Sequence, residues 1–198
     1  MADFFRTGVT DDNFIRGAAR LLVAGTTIAF PTGISDVINL STFDAQTGWT
    51  DVGATKTGIT VTRNNTEETF DVDQILGDID SRPVSYEQTV ATALAEVTLE
   101  HLQLAWEGGS ISTSGQFRSM GVGEPAVYSR KQLAVIFQKA NGKLRMHAFR
   151  KVQRSAQESA LAYNKTGEQQ SIPVTFRALA DTSIADVNTR TQVIFDQI

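Results

Sequence analysis

The chain has no cysteine among its 198 residues, and only two histidines and four prolines. The first absence excludes a disulfide scaffold, thiolate metal sites and a cysteine nucleophile together. With His101 and His147 as the whole imidazole complement, a multi-histidine metal centre is not expected either. Aromatics are sparse, at 8% with two tryptophans, which tells against a ligand-binding face of clustered exposed rings. No run nears the ~18 apolar residues that a membrane-spanning helix needs. The opening, Met1-Ala2-Asp3-Phe4-Phe5-Arg6, has no basic stretch leading into an apolar run, so no signal peptide is expected. Eighteen basic residues against twenty-two acidic ones leave a net charge of −4, which does not point to a general nucleic-acid binder. A hydrophobic share of 41% with 20% charged residues reads as one soluble, non-secreted globular domain over 1–198, too short for two.

What the chain does have is β-branched residues: 23 threonines and 16 valines. Ile59 and Val61 alternate with Thr60 and Thr62 in 58–63, and Phe70 and Val72 alternate with Asp71 and Asp73 in 68–74. In 83–94 the pattern puts Val84, Tyr86, Val90 and Leu94 on one face, with Ser85, Glu87 and Thr89 opposite. Leu133, Val135 and Phe137 share a face in 132–138, as do Ile172, Val174, Phe176 and Ala178 in 171–179. Such alternation predicts half-buried strands in an antiparallel sheet, hence a mainly β chain. Asn141-Gly142 predicts a tight hairpin between 132–140 and 143–153, and Asn64-Asn65-Thr66 predicts a turn between 58–63 and 68–74. The adjacent Arg150 and Lys151 break the phase of 143–153, which predicts a β-bulge there.

One helix is predicted over Val97–Trp106, where Leu99, Leu102 and Trp106 mark an apolar face, Thr98 caps the start and Gly108-Gly109 stops it. A strand is predicted over 18–24. Residues 40–52 and 107–127 read as long loops, yet they carry apolar residues such as Phe117, Met120 and Val122. Such loops either order against a partner or pack on their own core.

Charge is partitioned along the chain. Seven acids and one base, Arg82, lie between Asn64 and Glu87, whereas eight bases and no acid lie between Arg130 and Arg154. The basic set includes Lys139, Lys143, Arg145, Arg150 and Lys151. An acidic patch on one copy can meet the basic hairpin of the next, head to tail. The two segments can instead pair within one chain or stand as solvated faces, or the basic hairpin can touch phosphates, although only Phe137 and Phe149 interleave with its bases.

Catalytic and binding motifs fail on inspection. Asp71-Val-Asp73 opens like a calcium loop, but Leu76 and Arg82 stand where glycine and the closing glutamate belong. Gly121-Val-Gly123 leads into Glu124-Pro125 rather than a helix, so it is no phosphate turn. Glu67-Glu68, or Asp78 with Asp80, lack a surrounding apolar pocket, and neither histidine has a spaced acid and nucleophile. The sequons Asn64-Asn65-Thr66 and Asn164-Lys165-Thr166 matter only in a secreted chain. No enzyme activity and no cofactor are expected.

Three regions carry a resemblance. Trp49-Thr-Asp-Val-Gly53-Ala54-Thr55-Lys56-Thr-Gly58-Ile-Thr-Val-Thr resembles the Gly-Ala-Thr-Lys-x-Gly step into a strand found in major tail tube proteins of long-tailed, siphovirus-type bacteriophages. Phe70-Asp-Val-Asp73-Gln74 followed by Arg82-Pro83-Val84 is similar to the same family, as is the opening Asn13-Phe-Ile-Arg-Gly17-Ala18-Ala19-Arg20. These regions span roughly the first half of the chain. The resemblance implies an antiparallel β-barrel or sandwich with one flanking helix and long assembly loops. It also implies homohexameric rings stacked into a tube, with an N-terminal arm (about 1–17) and the loops 40–52 and 107–127 reaching neighbours. Its partners would be further copies of itself, the tape-measure protein, and the tail terminator and tail-tip proteins. Double-stranded DNA would pass through without specific binding, and the chain itself would bind no membrane. The expected location is the virion tail, assembled in the host cytoplasm.

A lumen that conducts DNA should repel phosphate, since tight contacts would stall passage. Glu68, Asp71 and Asp73 are therefore the candidate lumen-facing acids, and Lys139, Lys143, Arg145, Arg150 and Lys151 the candidate inter-subunit bases. Two other functions remain open at this point: the tube of a contractile injection or secretion machine, and a monomeric β-sandwich ligand-binding module.

Overall fold

The computed structural model describes residues 17, 19–70, 80–123, 127–155, 160–161 and 170–198. There the β-branched runs form ten strands, every pair antiparallel. In chain order they are β1 (Arg20–Gly25), β2 (Trp49–Asp51), β3 (Thr55–Phe70), β4 (Asp80–Leu94), β5 (Ile111–Ser114), β6 (Phe117–Met120), β7 (Lys131–Gln138), β8 (Leu144–Arg154), β9 (Ile172–Leu179) and β10 (Gln192–Asp196). One helix, α1 (Leu99–Trp106), follows β4. The Thr98 hydroxyl accepts from the His101 amide as its N-cap, and Glu107 ends it in the left-handed region at φ 55°.

Eight strands make one sheet in the order β2-β1-β7-β8-β9-β4-β3. The eighth, β10, lies end to end with β9 along the same edge of β8, pairing Arg145–Phe149 while β9 pairs Lys151–Arg154. This sheet stays open, with β2 and β3 as its end strands, so of the two expected forms the closed barrel is not adopted. The physical reason is that each face of the central strands already has its own cover. On one face Leu21, Val90, Leu133, Phe149, Ile172 and Phe176 form a core closed by Ala105, Leu102 and Trp106 of α1. On the other, Leu22, Ala134, Ile136, Met146 and Ala148 meet Ile34, Val37 and Ile38 from the segment between β1 and β2, with Trp49 at the start of β2.

Two-sided burial revises the one-sided alternation predicted for 132–138. Gln132 through Phe137 are all buried, because β7 sits between the two cores. Apolar runs such as Leu21-Leu22-Val23-Ala24 are what a strand buried on both faces requires. Fully burying one such side chain contributes about 1.5–3 kcal/mol.

Other predictions fare unevenly. Asn141-Gly142 does turn β7 into β8, with Gly142 at φ 83°. The bulge is present as well: Lys131 faces Val152 and Leu133 faces Phe149, so β8 carries an extra residue at Arg150-Lys151. No turn forms at Asn64-Asn65-Thr66. These residues lie inside β3 and face Glu87, Tyr86 and Ser85 of β4. Without a glycine to take a positive φ, and with threonines on both sides, the pair of asparagines continues the strand. Residues 107–127 are not loop throughout, since β5 and β6 form a short hairpin turning at Gly115. In 40–52, Trp49 and Val52 are buried while Leu40 and Phe43 remain 44% exposed.

Candidate functional site

The feature that stands out from this body is the hairpin of β3 and β4. Near the sheet, Ile59 and Val61 pack on the core and Val90 and Leu94 are buried. From Thr62 to Phe70 and from Asp80 to Glu87, every residue is exposed, on both faces of the pair. Eight residues of strand rise about 27 Å, so a two-stranded ribbon projects that far from the body. The face that Val84 and Tyr86 were predicted to bury is therefore exposed, at 60% and 43%. Val84 is moreover the extra residue of a second bulge, between Ser85 opposite Thr66 and Pro83 opposite Glu67.

Cross-strand contacts hold the ribbon in shape. The Arg63 guanidinium lies 4.9 Å from the Tyr86 ring centroid, and that of Arg82 5.2 Å from the Phe70 ring. Arg82 also bonds Glu68 at 2.7 Å, and Arg177 of β9 meets Glu87 at 3.3 Å. Exposed pairs of this kind contribute little each. A two-stranded ribbon is marginally stable alone in water, so its length asks for a partner. Among the described residues no further strand pairs with the outer edge of either arm of the ribbon: β3 joins β4 alone, and β4 meets β9 only from Thr89 onward.

Of the candidate acids, Glu68 is on this ribbon, exposed and bonded to Arg82. Asp71 and Asp73 lie outside the described residues, as do the arm up to Arg16 and the sequon Asn164-Lys165-Thr166. The ribbon's described part carries Glu67, Glu68, Asp80 and Glu87 against Arg63 and Arg82.

The candidate bases lie on or beside β7 and β8 and differ in surroundings. Lys139 is buried with its ammonium 2.8 Å from Asp196, and Arg145 lies 2.7 Å from the other oxygen of that carboxylate. Lys151 lies 2.8 Å from Asp181. The Arg150 guanidinium stacks 3.9 Å from the Phe30 ring centroid and donates to the Thr189 carbonyl. Lys143, beside the Asn141-Gly142 turn, is the exposed member of the five. These partners hold Asp196 at a pKa of about 2, through Arg145 first and then Lys139. Asp181 is likewise held at about 2 by Lys151 and then Ser183. The sequence reading missed both carboxylates. The apolar Val193-Ile194-Phe195 run before Asp196 is the signal that could have placed a strand there.

A hollow of about 500 Å³ opens between α1 and the β1–β2 edge, beside Asp51, Glu96, Glu100, His101 and Lys131. Asp51 already binds Arg20 and Glu100 already binds Arg118. The Arg118 hydrogen bond is the main reason that the Glu100 carboxyl lies below its ordinary range. Among the described residues no three His, Asp or Glu side chains are grouped to hold a metal ion, and no helix is long and apolar enough to cross a membrane.

Residues 8–191 match the family model described as phage tail tube protein. No curated protein matches the chain.

Proposed function

The chain belongs to the phage tail tube protein family, a structural family of the virion tail, and from that membership we propose that its copies form hexameric rings stacked into a hollow tube that conducts genome DNA into the host. The observation that carries this reading is the ribbon, exposed on both faces and, among the described residues, without a further strand on its outer edges. A monomer with such edges risks indiscriminate pairing, and assembly removes that liability. Neighbouring copies would add their strands to these edges. The tape-measure protein would set the tube's length, terminator and tail-tip proteins would close its ends, and assembly would take place in the host cytoplasm.

Within that tube Glu68, Asp71 and Asp73 are the proposed lumen lining, where carboxylates keep phosphate moving. The basic strand is the proposed ring contact. Lys143 is its foremost member, because its ammonium is exposed while Lys139, Arg145 and Lys151 are engaged by Asp196 and Asp181.

Negative-stain electron microscopy of the purified protein, at low and high concentration, tests the reading. The intact chain should give rings or hollow tubes. A shortened chain in which an Asn-Gly turn replaces 66–85, joining the paired residues Asn65 and Tyr86, should fold and stay unassembled. Tubes from the shortened chain would remove the ribbon from assembly. Monomers from the intact chain, even when seeded with tail tips, would overturn the tube.

A further inference from the structure

Four side chains form a continuous file of hydrogen bonds from the base of the ribbon into the sheet. The Tyr86 hydroxyl donates to Gln88 Oε1 at 2.5 Å. The Gln88 amide nitrogen donates to Gln192 Oε1, and Gln192 Nε2 lies 2.6 Å from His147 Nδ1. The file has a direction. With its oxygen engaged by Gln88, Gln192 turns its amide nitrogen to the histidine, and that nitrogen can only donate. Nδ1 must therefore accept, which fixes a neutral ring with its proton on Nε2.

The file joins two elements that share no ladder among the described residues. Among the described residues β10 pairs with β8 alone, and β4 with β3 and β9, so β4 and β10 meet here through side chains. Gln88 is 3% exposed. A buried amide in this position holds its partners only while both of its ends are satisfied.

We propose that this file is a pH-sensitive latch between the ribbon and the C-terminal strand: protonation of His147 removes the lone pair on which the file ends and frees the ribbon's base from β10. The surroundings favour the neutral ring. From β7, Val135 faces His147 and the Phe137 ring lies 5.6 Å away at 42°, neither titratable. From β10, Ile194 stands opposite and Gln192 supplies the bond. Arg145 is the nearby charge on its own strand, engaged by Asp196 of β10, and Tyr86, under Arg63, is the titratable group at the far end. Burial first, and Arg145 second, hold the His147 pKa below 6.5. A depressed histidine leaves the fold's preference for the neutral ring fully present above the unfolded value of 6.5. That preference is lost as the pH falls from there through the lower folded value. Rotation of both amides together would re-form the file around a protonated ring, and the latch would then not open.

The two histidines make the test direct. Their ring signals are followed by NMR from pH 8 to pH 5, with His101 as the internal control, alongside amide exchange of 62–70 and 80–88 corrected for intrinsic pH dependence. Ribbon protection, relative to β7 and β8, should fall about fivefold or more as His147 titrates, the loss of one buried hydrogen bond. Gln88→Leu should give low ribbon protection at both pH values, and Gln192→Leu should raise the His147 midpoint. Tyr86→Phe, which keeps the ring, should weaken protection at pH 8 without disturbing the core. Unchanged ribbon protection across the His147 titration would overturn the latch. So would an unmoved His147 midpoint in Gln192→Leu.

Discussion

The Lys139 ammonium lies 2.8 Å from Asp196, a contact that ties the end of β7 to the last strand of the chain. Lys139 is only 7% exposed, and its ammonium is also within 3.3 Å of the Gln197 carbonyl. Removing the carboxylate would leave a buried cation uncompensated, whereas removing the cation itself leaves an apolar stem in an apolar place. Asp196→Asn should therefore lower the thermal midpoint by several degrees, and Lys139→Met should lower it less. Thermal unfolding followed by circular dichroism checks the order of the two.

The acid limb of stability should report Asp181 and Asp196. Both are held at about 2, below the ordinary 3.8, so their contribution is present above 3.8 and is lost as the pH falls through 2. In Lys151→Gln the Asp181 value should move back toward 3.8. Unfolding free energy would then be lower at neutral pH and fall less steeply between pH 4 and 2. Denaturant titrations at several pH values measure that slope.

The same elements show what can be read from a one-dimensional pattern. Thr98, Leu102 and Trp106 placed α1, and Asn141-Gly142 placed the β7–β8 turn, because caps and tight turns are local chemistry. The Arg150-Lys151 bulge was legible for the same reason. Not legible was the length of β3, since nothing local tells a strand on a body from a strand that leaves it, and both favour threonine. Nor could alternation show that β7 is covered twice, because Ile34, Val37 and Ile38 of the second cover come from one short 3-10 turn and the chain just after it, with no strand period. Charge partition was visible, but the acids that meet Lys139 and Lys151 are Asp196 and Asp181, 57 and 30 positions away as the numbering counts. Such pairing follows from which edge of β8 the chain returns to.

The core tolerates least at β8. Phe149 is fully buried, where β7 and β8 face α1. Phe149→Ala should cost about 3–5 kcal/mol, the sum of lost transfer energy and a cavity that rigid strands on both sides cannot close. Chemical denaturation gives the difference directly. A loss well under that range would mean that α1 settles into the gap.

Folding and assembly should separate on the ribbon. Val84 is 60% exposed at its bulge and belongs to neither core of the described residues. Val84→Asp should change stability by no more than about 0.5 kcal/mol, since it opens no cavity and buries no charge in the monomer. In a tube the same aspartate would be carried into a contact between copies and lose its water there. The expected result is an unchanged thermal midpoint with few or no tubes in the microscope. Normal tubes at the same midpoint would place the Val84 face away from any neighbour and leave the ribbon's strand edges as its contact.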